Sequence, residues 1–264
     1  MNSYLWIIKK ELKVYSSTKL VYVVLFLFTL LASLFFYTFL MRYQSDSFAF
    51  MNLNRPELLE RLNFNDRIIT PLFVGYVQII FLFLLPLLTM QLIAKEKQNK
   101  TIELLLSSPI SSTEIILGKY LSAAFIVSLM ILICLFYPII LEFYGDSNAS
   151  SVIDWSSVFI GLLGLLLVAL TSLALGLFVS TVSNSQAVAA IVTMMILLFL
   201  WMLRNIGEGA SSYLKDILYY LSILTHIESF AKGVFSLGDF VFFVSLIVLF
   251  LFLSIRIFES SRRS

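Results

Sequence analysis

From Trp155 to Leu203 the chain runs 49 residues without a charged side chain, between Asp154 and Arg204. Inside a bilayer no water reaches the backbone, so such a run must satisfy its own N–H and C=O groups, which a helix does within one segment. At ~1.5 Å per residue the run is long enough to cross a hydrocarbon core of ~30 Å twice. The polar stretch Ser180-Thr-Val-Ser-Asn-Ser-Gln186 near its middle supplies the turn. The chain is therefore read first as a membrane protein.

Composition agrees. Charged residues make up 13% of the chain and hydrophobic ones 60%, whereas a soluble domain needs roughly 25% charged residues for its wet surface. No charged, periodic segment is long enough to build a separate soluble domain, so 1–264 is expected to form one transmembrane domain. The net charge of +2 is not gathered into a patch, which argues against a nucleic-acid partner. The single cysteine, Cys134, lies in an apolar run and supports neither a disulfide framework nor a metal cluster. The first apolar run is too long for a signal-peptide core and lacks a small-residue cleavage site, so it reads as a retained anchor.

Uncharged apolar runs predict six spans, at about 20–41, 71–94, 120–141, 157–179, 187–203 and 240–257. Pro86 is expected to bend the second. Arg256 has to snorkel at the end of the sixth. Six spans put both termini on one side. That side carries eleven basic residues (Lys9, Lys10, Lys13, Lys19, Lys95, Lys97, Lys100, Lys119, Arg256, Arg262, Arg263) against five acids, and the other side seven basic against eleven acids. By the positive-inside rule both termini are cytoplasmic. Residues 1–19, with Tyr4, Leu5, Ile8, Leu12 and Tyr15 at helical spacing opposite Lys9, Lys10 and Lys13, read as an interfacial helix. Segment 42–70 falls outside, where Pro56 suits a first helical turn and Glu57 pairs with Arg61 at i,i+4. Segment 205–239, also outside, suggests short helices on the outer leaflet. The fold class is all-α.

The cytoplasmic loop 95–119 is the most informative polar segment. The second span is expected to continue as a helix to about Ser107 and to stop at Pro109, while Ser111 and Glu114 form a capping box that starts the next helix. The result is a charged elbow with an apolar face at Leu104, Leu105 and Leu106. That face either docks a cytoplasmic partner or packs against the chain's own N-terminal helix.

Pro86-Leu-Leu-Thr-Met90, Glu96, Thr101-Ile-Glu-Leu-Leu-Leu-Ser-Ser-Pro-Ile110 and Gly118-Lys119 resemble the coupling-elbow signature of ABC-2-type permeases. The closest subgroup is the permeases associated with gliding motility and copper-enzyme maturation. Leu175-Gly-Leu-Phe-Val-Ser-Thr181 with Gln186-Ala187, and Tyr220 to Val234 leading into the last span, resemble the same family in the same order. Lys100 departs from the pattern, which has glycine before Thr101. The resemblance implies two permease copies, the same or closely related, and a separate cytoplasmic ATP-binding cassette subunit that supplies ATP and Mg. It also implies a bacterial cytoplasmic (inner) membrane, export or movement of a substrate, and a transmission element containing Glu96, Thr101, Glu103, Leu105, Pro109 and Glu114. The chain has no Gly-x-x-x-x-Gly-Lys-[Ser/Thr] loop and is not expected to be an enzyme by itself.

Other residues carry quieter readings. His226, Glu228 and Gly233 are assigned a structural role in the outer helices, because the single histidine has no ligand cluster at metal spacing beside it. Ser172, Gly176 and Ser180 form a small-xxx-small ridge, which packs either within one subunit or in a homodimer seam. Asn148-Ala-Ser150 fits a glycosylation sequon. The predicted spans lack buried acids and bases, which argues against a proton pump or a cation channel. A second function remains open beside transport: mechanical transmission of cytoplasmic ATP hydrolysis to a periplasmic or membrane-anchored companion. A membrane-embedded enzyme would need paired catalytic groups at bilayer depth that the spans do not offer.

Overall fold

The computed structural model describes residues 3–52, 63–103, 110–144, 153–209 and 211–263, and within them the chain is helical with no strand. In order, the helices are α1 (Ser3–Ser17), α2 (Lys19–Asn52), α3 (Gln78–Thr89), α4 (Ala94–Gln98), α5 (Ser112–Tyr144), α6 (Trp155–Val182), α7 (Gln186–Glu208), α8 (Ser212–Leu221), α9 (Ile223–Ala231) and α10 (Leu237–Arg263). Two wider π-helical pieces, Asn65–Ile69 and Leu72–Val77, lead into α3. Six helical segments are long and apolar enough to cross a membrane, each containing or closely matching one predicted span. Pro56, Glu57, Arg61, Leu104 to Leu106, Ser107, Pro109 and the Asn148 sequon lie outside the described residues.

The charge-free run forms the middle of the bundle. In α6, 72% of the most apolar window is buried, against 28% for α2, 22% for α7 and 17% for α10. Helices α3, α5, α7, α9 and α10 all pack on α6. Lipid tails are as apolar as leucine, so such contacts depend on close van der Waals fit. Glycines on α6 provide it: a Cβ on Gly164 would sit 2.5 Å from the Cβ of Phe230 on α9. Phe28, Phe73, Phe81, Phe230 and Phe243 are almost completely buried, with Phe28 and Phe81 stacked at 5.5 Å.

Three boundaries differ from the sequence reading. Helix α2 continues to Asn52, well past Met41, so much of the expected outer segment is helical. The turn between the fourth and fifth spans is only Ser183 to Ser185. The second span does not run on as one helix to Ser107. It breaks at Met90–Ile93 and again at Asn99–Thr101. Pro86 has no N–H to donate to the preceding turn, and α3 ends three residues later. At the end of the sixth span, the Arg256 guanidinium lies 5.0 Å from the Phe252 ring centre and 3.5 Å from Glu259.

Candidate functional site

The short helix α4 is the structural centre of the elbow. Its start is fixed from α6: the backbone N–H groups of Ile93 and Ala94 donate to Ser180 Oγ at 3.1 and 2.9 Å. A helix opens with unpaired N–H groups, and a buried one needs such an acceptor. One turn along α6, Gly176 leaves room for Thr89, whose side chain would overlap any Cβ placed there. Ser172 lies a further turn away, buried, with its hydroxyl on Val168 O at 2.8 Å. The small-residue ridge is thus filled by the second span of the same chain.

The far end of α4 is tied to the turn after α6. Lys97 Nζ donates to Thr181 O, and the Gln186 N–H donates to Gln98 Oε1 at 3.2 Å. Glu96 engages a third partner. Its Oε1 accepts from Lys119 Nζ of α5 at 2.7 Å, and the same ammonium reaches Glu11 of α1 at 3.3 Å. The Lys119 side chain is only 3% exposed. A cation buried to that degree needs anionic partners, and here two are supplied from different helices. Gly118 allows this approach, since a Cβ there would lie 2.5 Å from Ile7 Cγ2 of α1. Tyr15 is buried in the same cluster; burial first, then Glu11 and Glu96, push its phenol pKa upward.

Beyond α4 the chain closes on itself. Lys100 adopts φ 56°, the left-handed region that favours glycine. The resemblance expects glycine here, and the lysine takes the glycine-like backbone shape at a strain of about 1 kcal/mol. The Thr101 N–H then donates to Glu96 O at 2.9 Å, a six-to-one closure of the helix end, and the Thr101 hydroxyl reaches the same carbonyl at 3.3 Å. Glu103 follows, helical and exposed. Ser111 and Glu114 bond reciprocally: Ser111 N–H to Glu114 Oε2 at 3.0 Å, and Glu114 N–H to Ser111 Oγ at 3.2 Å. Arg262, near the end of α10, donates to Ile110 O at 2.9 Å. Leu105 and Pro109 fall outside the described residues.

The elbow is therefore connected to α1, α5, α6, α7 and α10. Sequence reasoning singled out Glu96 but not Lys119 as the cation it shares with Glu11, nor the bond from Lys97 to Thr181 O. The available signal was helical spacing: Ile7, Glu11 and Tyr15 share one face, so an acid sits on an apolar stripe and requires a cation.

The opposite end of the bundle gathers the remaining singled-out residues. His226 of α9 is 2.6 Å from Asp239 through Nδ1 and 2.8 Å from Tyr220 O through Nε2, which ties α8, α9 and α10 together. Its ring stacks on Phe242 at 3.8 Å. Glu228 accepts from Lys232 at 2.8 Å and from Arg204 of α7 at 2.5 Å; the Lys232 bond first, and Arg204 with it, hold its carboxyl below the usual range. Gly233 takes φ 76°, beside Ser157, where no side chain fits. Among the described residues no three His, Cys, Asp or Glu side chains group to hold a metal.

Six helices long and apolar enough to span a membrane are what the ABC-2 resemblance leads one to expect. A family model described as ABC-2 family transporter protein matches residues 5–262. The chain belongs to the ABC-2 transporter family. No curated protein matches it. It is a multi-pass membrane protein and a permease component of an ABC transporter, a family whose members are membrane parts and are not themselves catalytic.

Proposed function

We propose that this permease works with a separate cytoplasmic ATP-binding cassette subunit, and that its elbow passes the motion of ATP closure and hydrolysis to the spans. ATP and Mg belong to that partner. The elbow end and both termini face the cytoplasm of a bacterial inner membrane, and two permease copies pair to export or move a substrate. The observation that carries this reading is the attachment of α4: Ser180, Thr181 and Gln186 hold it on one side, and Lys119 with Glu11 on the other. A displacement of so short and so firmly held a helix must move α5 and α6, because a packed interior shifts as a unit rather than deforming smoothly.

Exposed Glu103 is the point of contact with the partner. Reversing its charge in Glu103→Lys leaves the chain inserted but separates ATP hydrolysis from transport; coupling that survives the reversal overturns the assignment. A mechanical-transmitter reading also has an observation in its favour. At the opposite end, α8 leaves Tyr213, Leu214, Ile217 and Tyr220 exposed, an aromatic and apolar face suited to a periplasmic companion. Transport of a substrate by the purified complex without any companion decides for the permease.

A further inference from the structure

His226, the single histidine of the chain, sits where two helix ends meet, with its side chain only 8% exposed. Its Nε2 lies 2.8 Å from the carbonyl oxygen of Tyr220, in the last turn of α8. Its Nδ1 lies 2.6 Å from Asp239 Oδ1, in the first turn of α10. A backbone carbonyl and a carboxylate both accept, and a neutral imidazole donates from one nitrogen only. With that one proton on Nδ1, a bare Nε2 lone pair faces the carbonyl oxygen at 2.8 Å. With it on Nε2, a bare Nδ1 faces the carboxylate at 2.6 Å. The His226–Asp239 pair therefore holds one proton more than a neutral imidazole beside a carboxylate, whichever side of the short contact that proton lies on.

The surroundings favour the extra proton. A cation is stabilised at the carbonyl end of a helix and an anion in a first turn, which are the places of His226 against α8 and of Asp239 in α10. The ring lies flat on Phe242, 3.8 Å between centres and 19° between planes, and an aromatic face attracts an imidazolium. Ser229 donates to the second Asp239 oxygen and holds the carboxylate in place. The other charged groups around the ring are engaged elsewhere or distant from it. Glu228 of α9 is bound to Lys232 and to Arg204 of α7, Lys215 of α8 lies over Tyr219, and Asp216 is exposed. Tyr220 borders the ring edge-on at 5.5 Å, and α6, which packs on α9, has no charged residue from 155 to 182.

We propose that His226 and Asp239 form a proton-binding site that clasps α8 to α10 while the proton is bound and releases α8 when it leaves. The proton passes to water. The remaining N–H stays on Nδ1, because a carboxylate is the stronger acceptor. Nε2 then presents a lone pair to the Tyr220 carbonyl, and the two repel. What still holds α8 is Tyr219 against Gly207 of α7 and the extended link at Ser222 into α9. Imidazole is the side chain that ordinarily exchanges its proton between about pH 5 and 8, so the clasp responds to the acidity at the end of the bundle opposite the elbow. The site does not depend on the coupling reading.

The test pairs two measurements on the full chain in nanodiscs, from about pH 5 to about pH 8. With ¹⁵N-labelled histidine the only imidazole signals are those of His226, so its protonation is read without assignment. In a Cys134→Ala background, nitroxides at Lys215→Cys on α8 and at Leu237→Cys on α10, both exposed, report the spacing of the two helices. The expected result is one narrow spacing at the acid end that broadens as Nε2 changes from N–H to lone pair, with a shared midpoint. Asp239→Asn separates a proton clasp from a merely structural histidine. Its amide donates to Nδ1, which lets a neutral ring keep Nε2–H for Tyr220, so the spacing stays narrow at both ends of the range. A native ring that keeps one protonation state throughout overturns the proposal. So does a spacing indifferent to the ring's titration, or an Asp239→Asn chain that broadens as the native one does.

Discussion

Removing the Lys119 ammonium is the sharpest structural perturbation available. In Lys119→Met the carboxylates of Glu11 and Glu96, with side chains only 12% and 21% exposed, face each other without their shared cation. Breaking a buried ion pair by deleting one partner costs about 3–5 kcal/mol, and the residual exposure of both acids selects the low end, about 3 kcal/mol. For a chain of this size that corresponds to a fall in melting temperature of about 6–12 °C. The protein carries its own reporter. Cys134 is the single cysteine and is fully buried in α5, so a thiol-reactive fluorogenic dye reads unfolding directly. The triple variant Glu11→Gln, Glu96→Gln, Lys119→Met removes all three charges and keeps the volume. Neutral replacement of a buried ionic cluster is close to energetically neutral, so its melting point should return to within about 2–4 °C of the native chain. An unchanged melting point in Lys119→Met, or a triple variant that melts below the single one, refutes the triad as the bolt between α1, α4 and α5.

Other perturbations give equally definite outcomes. Gly176→Ala forces a methyl into Thr89 and should destabilise by about 1–3 kcal/mol, read as a lower Cys134 labelling temperature. Ser180→Ala strands the N–H groups of Ile93 and Ala94, at about 1–3 kcal/mol, and should speed hydrogen exchange at those two amides before the rest of α4. Glu228 has a folded pKa below its unfolded one, so its contribution is present above the ordinary carboxylate range and lost as pH falls through the lowered value. Acid should therefore loosen α9 from α7 by less than about 1 kcal/mol, with Glu228→Gln reproducing the loss at neutral pH.

The spans were legible because the bilayer imposes a length and an apolar composition that sequence displays directly. The elbow was only half legible. The Ser111–Glu114 capping box could be read from spacing, since it is local, whereas Glu96 was singled out only through the family resemblance. The partners of Glu96 could not be read from spacing, because Glu11 and Lys119 are brought together by the packing of α1 on α5 through Gly118 and Ile7. The break at Met90–Ile93 was hidden for a similar reason. Pro86 announces a weakened helix, but the restart of α4 depends on a hydroxyl from α6, 87 residues away for Ile93. The wide turns at 65–77 had no visible signal.

Site-specific crosslinking tests the central claim most directly. In a Cys134→Ala background, a photoreactive group is placed at Glu103→Cys on the elbow and, separately, at Lys215→Cys on α8. The account predicts that the elbow probe captures a soluble protein bearing a nucleotide-binding loop, with a yield that changes when ATP is added, and that the α8 probe does not. Capture of that protein from α8, or an elbow probe that finds no nucleotide-binding partner in membranes where transport is intact, contradicts it.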